Sequence, residues 1–481
     1  MPASIDPVVL PFPPEPYRVG VLSFSDGRLR VHRTLEETVA AHARALTEAV
    51  GRDPLLSVAK CAETIHSNES ARRVARGMKG AGLEAAVFNI PVFAFPNFSL
   101  IAARVLEMPV LLSSPRNGLL PGVGGILAAH GAMAQIGIAN WKSWGDPLND
   151  AKAAGRLSAF CRASGARERL KGSVFGVVGG RSIGMNTGVS DPQEWMRRFG
   201  VDTEHIDQLE MVRRAKDADE SEVERAYAWM TERLGHRSSE GKAAPAQVKE
   251  QIRQYLALCG IVEDFSLDFL AIKCHYDLSE YLVTACVSAM FLNDPYDWNG
   301  PKAPLAASCE ADNDGALTMQ ILKLISGYPS LLFDIRNYDS ERRLYTFCNC
   351  GAMPSWYAGL SPKAEENLAL VSLEPVISKY AGGGAHFPYI CKEGEITLAR
   401  LTRVDGQYRM FLAPAEFVAQ PPARLAETCA AWPHGFVRMS MEPEDFIDRF
   451  HTNHAHAVPG RHLEAIEIFC GMTGIAVDRT D

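Results

Sequence analysis

Short apolar runs alternate with longer amphipathic stretches over the first third of this 481-residue chain. Residues 17–23, 55–59, 85–90 and 110–113 are apolar runs of strand length. Between them, 67–79 and 123–136 carry helical periodicity, and Thr34 with Glu37 forms a capping-box pattern opening a helix that Gly51 ends. Strands alternating with helices predict a mostly parallel sheet covered on both faces. The loop 113–125 follows a strand and precedes a helix. Its glycines and Arg116 read equally as ligand contacts or as a flexible turn.

The pattern is sharpest over residues 304–338. An apolar run, 304–309, leads to Asp312, Asn313 and Asp314, which offer helix-capping side chains. Leu317, Ile321, Leu324 and Ile325 then share one helical face, Gly327 offers the stop, and 330–333 is again a strand. A crossover helix between two strands predicts that they run parallel, with their C-terminal ends on one edge of the sheet. Glu310 and Asp334 occupy those ends. Two carboxylates converging there suit a divalent metal or proton transfer; the alternative is a pair of solvated loop acids.

A second region opens with a strand at 173–178 and a glycine-rich loop, 179–188. The loop holds neither GxGxxG nor GxxxxGK[ST], which argues against nucleotide binding. Residues 208–258 read as charged helix, 281–290 as a buried helix with Glu280 near its start, and 342–347 as a short closing connection. Beyond residue 348 the periodicity changes. GGGAHF (382–387) reads as a loop, and the runs 396–404 and 407–412 flank Asp405-Gly406, a hairpin signal. The last fifty residues hold His434, His451, His454, His456 and His462, without the HExxH spacing of a zinc protease.

Composition narrows the classes. Hydrophobic residues make up 47% and charged residues 22%, ordinary for a globular chain with a sizeable core. A net charge of −8 argues against nucleic acid or an anionic membrane as partner. The eleven cysteines include no CxxC pair, so free thiols in a reducing compartment are expected rather than a structural zinc site. The first sixteen residues read as a proline-rich arm rather than a signal peptide, and no apolar run is long enough to span a bilayer. A cytoplasmic location is the expectation.

Several blocks in order resemble the L-fucose isomerase family of aldose–ketose isomerases. KGSVFGVVGGRSIGMNTGVSD with the following HIDQLEMVRRAK resembles the opening of the family's second domain. DWNG, CEADND and FDIRNY resemble its DWNG, TEND and ADVRTY blocks; GGG with ITLARLTRV, then WP and NH, resemble its later ones. The resemblance runs from about residue 169 to the end, with mainly DGR (26–28) fitting before that. It implies two doubly wound α/β domains (1–168 and 169–346) followed by a smaller β-rich C-terminal domain (347–481). It implies that Glu310, Asp334 and His454 hold a divalent cation, typically Mn2+, and that the two carboxylates also serve as catalytic groups. Asn453, Trp432, Cys350, His386 and Arg28 are the implied substrate contacts. The implied reaction interconverts an aldose and a ketose through an enediolate, in a homo-oligomer, commonly a hexamer, whose pocket a neighbouring subunit completes.

The chain also departs from the family pattern. FNIPVFAFPNFS (88–99) replaces a CWCYG segment, Cys350 replaces a serine, and GGGA followed by His386 replaces GGGY. These changes alter the pocket wall and leave the sugar open. A sulfonated, phosphorylated or branched sugar is one alternative, with Arg116, Arg181 and His386 as candidate contacts to an anionic group. A sugar-binding or regulatory homologue without turnover is another.

Overall fold

The computed structural model describes residues 9–61 and 63–480, so the first half of the proline-rich arm lies outside the described residues. Two compact units result, one comprising Pro14–Arg169 with Glu464–Gly474, the other Leu170–Leu463 with the described residues 9–13 and 475–480.

The first unit is built on a five-stranded sheet. Its strands run, from one edge, Leu56–Ala59, Tyr17–Ser23, Ala85–Asn89, Val110–Ser114 and Asn140–Trp144. Every pairing is parallel, the doubly wound order 2-1-3-4-5. The central strands Ala85–Asn89 and Val110–Ser114 are buried at every position, as continuous apolar runs require. The edge strand Asn140–Trp144 escapes the sequence pattern because NWKSW carries no apolar run. The helix Asn68–Gly80 starts where the sequence places it, with a reciprocal cap between Ser67 and Ser70. The preceding helix does not. It opens at Leu29, before the expected cap, and runs to Gly51. Thr34 lies inside it, its hydroxyl donating to the Val31 carbonyl. The turn at Asp26, whose carboxylate accepts from the Arg28 backbone N–H, sets the start instead.

The second unit holds two main sheets, beside a two-stranded and a three-stranded one. A four-stranded parallel sheet runs Ala306–Ser308, Phe269–Ile272, Val174–Val178, Asp202–Ile206. Beside it six strands close into an antiparallel barrel. In order around the barrel they are Gly394–Val404, His454–Pro459, Leu331–Asp339, Leu344–Cys348, His434–Met439 and Gln407–Phe417, which pairs back to Gly394–Val404. Closure pairs each of these strands on both sides, and the short strand Ala476–Arg479 adds in parallel to the remaining edge of Gln407–Phe417. The hairpin turns at Asp405-Gly406, both with positive φ, as that dipeptide predicts.

Three expectations change here. The strands flanking the 313–326 helix are not parallel neighbours: Ala306–Ser308 ends the parallel sheet, whereas Leu331–Asp339 joins the barrel in antiparallel pairings on both sides. The segment 342–347 is accordingly a barrel strand, not a connection. The expected 281–290 helix is broken into Asp277–Tyr281 and Cys286–Phe291. Between them the fully buried Gln251 amide donates to both the carbonyl and the hydroxyl of Thr284, and Val283 bridges to Gly383. Those bonds take backbone groups that a continuous helix would need.

The helix Asn313–Ser326 is buried on almost all sides between the two sheets. It starts on Asp312, whose carboxylate caps Gly315 N–H, and stops at Gly327 with φ 80°. Nearby, Asp294 is wholly buried, accepting from Ser355 Oγ at 2.6 Å and Trp356 N–H at 2.9 Å. Burial pushes its carboxyl up to about 7. A folded-state value above the unfolded one stabilises at low pH, and the contribution is lost as pH rises through about 7. Thermal midpoints measured across that range should therefore fall less steeply with pH in Asp294→Asn than in the wild type; an unchanged slope contradicts the assignment.

Candidate metal centre

Three side chains from distant segments meet at one point of the second unit. After the Ala306–Ser308 strand the chain makes a single tight turn, Cys309–Ala311, before the capped helix begins. Within it Glu310 sits at φ 60°, ψ 22° and Ala311 at φ 50°, left-handed conformations that cost non-glycine residues about 1–2 kcal/mol each. The turn holds the Glu310 carboxylate in a buried position, 8% exposed. Asp334 and His454 are brought together by register alone: they are directly opposed partners in the antiparallel pair of Leu331–Asp339 with His454–Pro459.

His454 Nε2 points into the gap between the acids, 3.3 Å from Glu310 Oε2 and 3.4 Å from Asp334 Oδ1. It is buried and hydrogen-bonded to neither. Its other nitrogen, Nδ1, lies 2.7 Å from Asp312 Oδ2. That bond fixes the ring and aims Nε2 at the gap. Burial alone would push the imidazole down. The carboxylates of Asp312, Asp334 and Glu310 overcome it and hold the ring well above its ordinary pKa, so the position favours positive charge. Glu310 is likewise opposed by burial, yet His454, His275 and the Cys350 thiol keep it below the usual glutamate range. A buried imidazole nitrogen without a hydrogen bond, set between two carboxylates, is the donor set of a hard divalent cation such as Mn2+. Glu310, Asp334 and His454 fit that ion. Asp334, 23% exposed, lies on the open side.

Behind the triad stands a pair that sequence reading passed over. Asp312 was visible only as a helix cap. Its Oδ1 also accepts from Arg400 Nη2 at 3.0 Å, while Arg400 Nη1 donates to Oδ2. Both side chains are essentially inaccessible, 1% and 0% exposed. Burial would raise the Asp312 carboxyl, but Arg400 and His454 keep it ionised, far below the usual range. Gly315 is required by this contact: a Cβ there would come within 2.8 Å of Arg400 Nη1 and 2.5 Å of Asp312 Oδ2. The signal for Arg400 was an arginine inside the apolar strand ITLARLTRV.

The remaining candidates divide. Asn453 Nδ2 donates to Asp334 Oδ1 at 3.4 Å. Cys350 Sγ lies 3.6 Å from Glu310 Oε1, and Trp432 packs with Cys348 and Cys350. Arg336 and Lys379 lie over the Trp432 ring at 4.9 and 5.3 Å. His386 stands away from the triad, fully buried against Gly351, with neither ring nitrogen partnered; burial pushes it down to about 3. Arg28 belongs to the other unit and pairs with Asp26. His275, unremarked in the sequence, reaches Glu310 Oε1 at 3.5 Å. Among the clustered histidines only His454 joins the acids: His434 bonds Thr428 and the Trp432 carbonyl, and His462 contacts the Pro459 carbonyl. No helix among the described residues is long and apolar enough to cross a membrane.

Residues 16–172 match the model of the L-fucose isomerase first N-terminal domain, and residues 347–480 that of the L-fucose isomerase C-terminal domain. A protein named L-fucose isomerase from Citrobacter koseri is 23% identical over 387 residues, covering 65% of each chain. Proteins of the same name from Salmonella paratyphi B and Salmonella typhimurium are 26% identical over 355 residues, covering 60% of each. The match thus spans less than two thirds of these relatives' length. With two domain models matched over more than half its residues, and at 23–26% identity to these relatives, the chain belongs to the L-fucose isomerase family as a divergent member.

Proposed function

We propose that the protein is a metal-dependent aldose–ketose isomerase acting on a monosaccharide through an enediolate. The observation that carries this reading is the buried His454 Nε2, held without a hydrogen bond between Glu310 and Asp334. A Mn2+-type cation held by these three residues would polarise the sugar carbonyl and lower the cost of the enediolate. Moving a proton from C2 to C1 needs one group to remove it and one to return it. Glu310 and Asp334 flank the same gap and have the chemistry for both roles. Asn453, hydrogen-bonded to Asp334, is placed to orient a sugar hydroxyl, and Trp432 supplies an apolar wall beside Cys350. The reading includes a homo-oligomer working in the cytoplasm.

One observation favours a second reading, an anionic sugar. Arg336 and Lys379 both lie over Trp432, beside a centre whose carboxylates a bound cation and Arg400 would match. A panel of plain, phosphorylated and sulfonated aldoses scored for ketose separates the two.

Glu310→Gln and Asp334→Asn should each lower kcat by about 10²–10⁴-fold while circular dichroism stays native. Full activity in either variant contradicts the assignment. Chelation should abolish turnover and Mn2+ restore it; activity in metal-stripped protein would rule the scheme out. Asp312→Asn, which loosens the ring that presents Nε2, should weaken Mn2+ binding by about 10–100-fold in a paramagnetic-resonance titration. The same change should lower the thermal midpoint, since it leaves Arg400 without its ionised partner.

A further inference from the structure

Glu310 has two oxygens, and only Oε2 faces the triad. Oε1 faces a second set of donors: His275 Nε2 at 3.5 Å and Cys350 Sγ at 3.6 Å. The three donor atoms lie within 4.8 Å of one another, and all three residues are buried. They arrive from separate places. His275 follows the Phe269–Ile272 strand of the parallel sheet, Glu310 sits in the left-handed turn, and Cys350 follows the Leu344–Cys348 strand of the barrel.

The hydrogen bonds around His275 decide which nitrogen is available. Ser279 Oγ donates its single hydrogen to the Tyr276 carbonyl at 3.2 Å. With that hydrogen on the carbonyl, the same oxygen, 3.1 Å from His275 Nδ1, accepts from Nδ1–H, the tautomer that a cation at Nε2 requires. In that tautomer Nε2 has no proton and faces Glu310 Oε1, with the Tyr380 hydroxyl at 3.2 Å, a contact that a cation at Nε2 would displace. This is the arrangement by which a neighbouring acceptor prepares a histidine as a ligand. Donor spacing agrees. On one tetrahedral zinc-class ion, nitrogen and oxygen ligands sit about 3.3–3.4 Å apart, and sulfur and oxygen about 3.5–3.6 Å, from the usual bond lengths. The separations found here are 3.5 and 3.6 Å.

The two faces of Glu310 differ in chemical character. Toward His454 it completes a set of two carboxylates and one imidazole, suited to a hard cation. Toward His275 it completes imidazole, thiolate and carboxylate, which suits a softer one. We propose that His275, Glu310 and Cys350 form a second cation site, for a thiophilic divalent ion of the zinc class, sharing Glu310 with the triad. On coordination the Cys350 thiol releases its proton to solvent, and the thiolate and ion form the new bond. An ion there draws on the carboxylate that the triad also needs, so it weakens Mn2+ binding at the triad. The proposal rests on the isomerase reading only for that consequence; the site itself stands on its donors.

Cadmium is the probe, because a cadmium–thiolate bond gives an ultraviolet charge-transfer band that Mn2+ and carboxylates do not. Metal-free full-length protein titrated with Cd2+ should develop that band, saturating with a single thiolate. It should be lost in Cys350→Ser, shift to about tenfold weaker binding in His275→Gln, and persist in Cys309→Ser, whose thiol lies 4.0 Å from Cys350. It should also persist in Asp334→Asn, which removes a ligand of the triad alone, so failure of the isomerase reading leaves this test intact. A band that survives Cys350→Ser, or no band at stoichiometric Cd2+, overturns the proposal. Cadmium NMR of the wild-type protein gives a check that needs no variant: a chemical shift showing one sulfur ligand supports the site, and one showing none or several refutes it.

Discussion

One buried carboxylate, Asp312, ties the second unit together. It caps the helix that links the two sheets, pairs with both terminal nitrogens of Arg400 from the barrel wall, and holds the His454 ring in place. Each bond alone is ordinary. Together they satisfy a charge that would otherwise cost several kcal/mol to bury. A buried ion pair of this kind is weak support for stability as such. Its consequence here is positional, because the residue that starts the helix also aims the histidine.

That coupling explains why the triad can be assembled from three unrelated pieces of chain. Asp334 and His454 are fixed by strand register, which cannot slip by one residue without turning both side chains to the other face. Glu310 is fixed by a strained turn between a strand end and a capped helix. The strain is confined to two residues and is held by the Ser308 hydroxyl, which donates to the Asp312 carbonyl across the turn. Glu310 is thereby placed so that each of its oxygens meets a different group of donors.

The site was partly legible in the chain. Glu310, Asp334 and the helix between them stood out by pattern, and the caps Asp312 and Gly327 fell where the sequence put them. Their convergence comes from the barrel pairing and not from parallel neighbouring strands. Pattern alone cannot say to which sheet a short apolar run belongs, and 331–339 pairs in the barrel through backbone bonds that no local signal announces. Arg400 escaped notice because its charge is matched across 88 residues of sequence. His275 escaped because a lone histidine after a strand carries no spacing signal.

Sequence by itself determined the elements governed by near-neighbour physics. These are the alternation that makes a doubly wound parallel sheet, the 67–79 helix, the Asp312 cap and the Asp405-Gly406 hairpin. It also carried the family blocks. Only the tertiary structure decided which strands close the barrel, which oxygen of Glu310 faces which donors, and which histidine of the cluster meets the acids. Those outcomes depend on long-range register and on pairing buried charge, and neither leaves a mark within a window of a few residues.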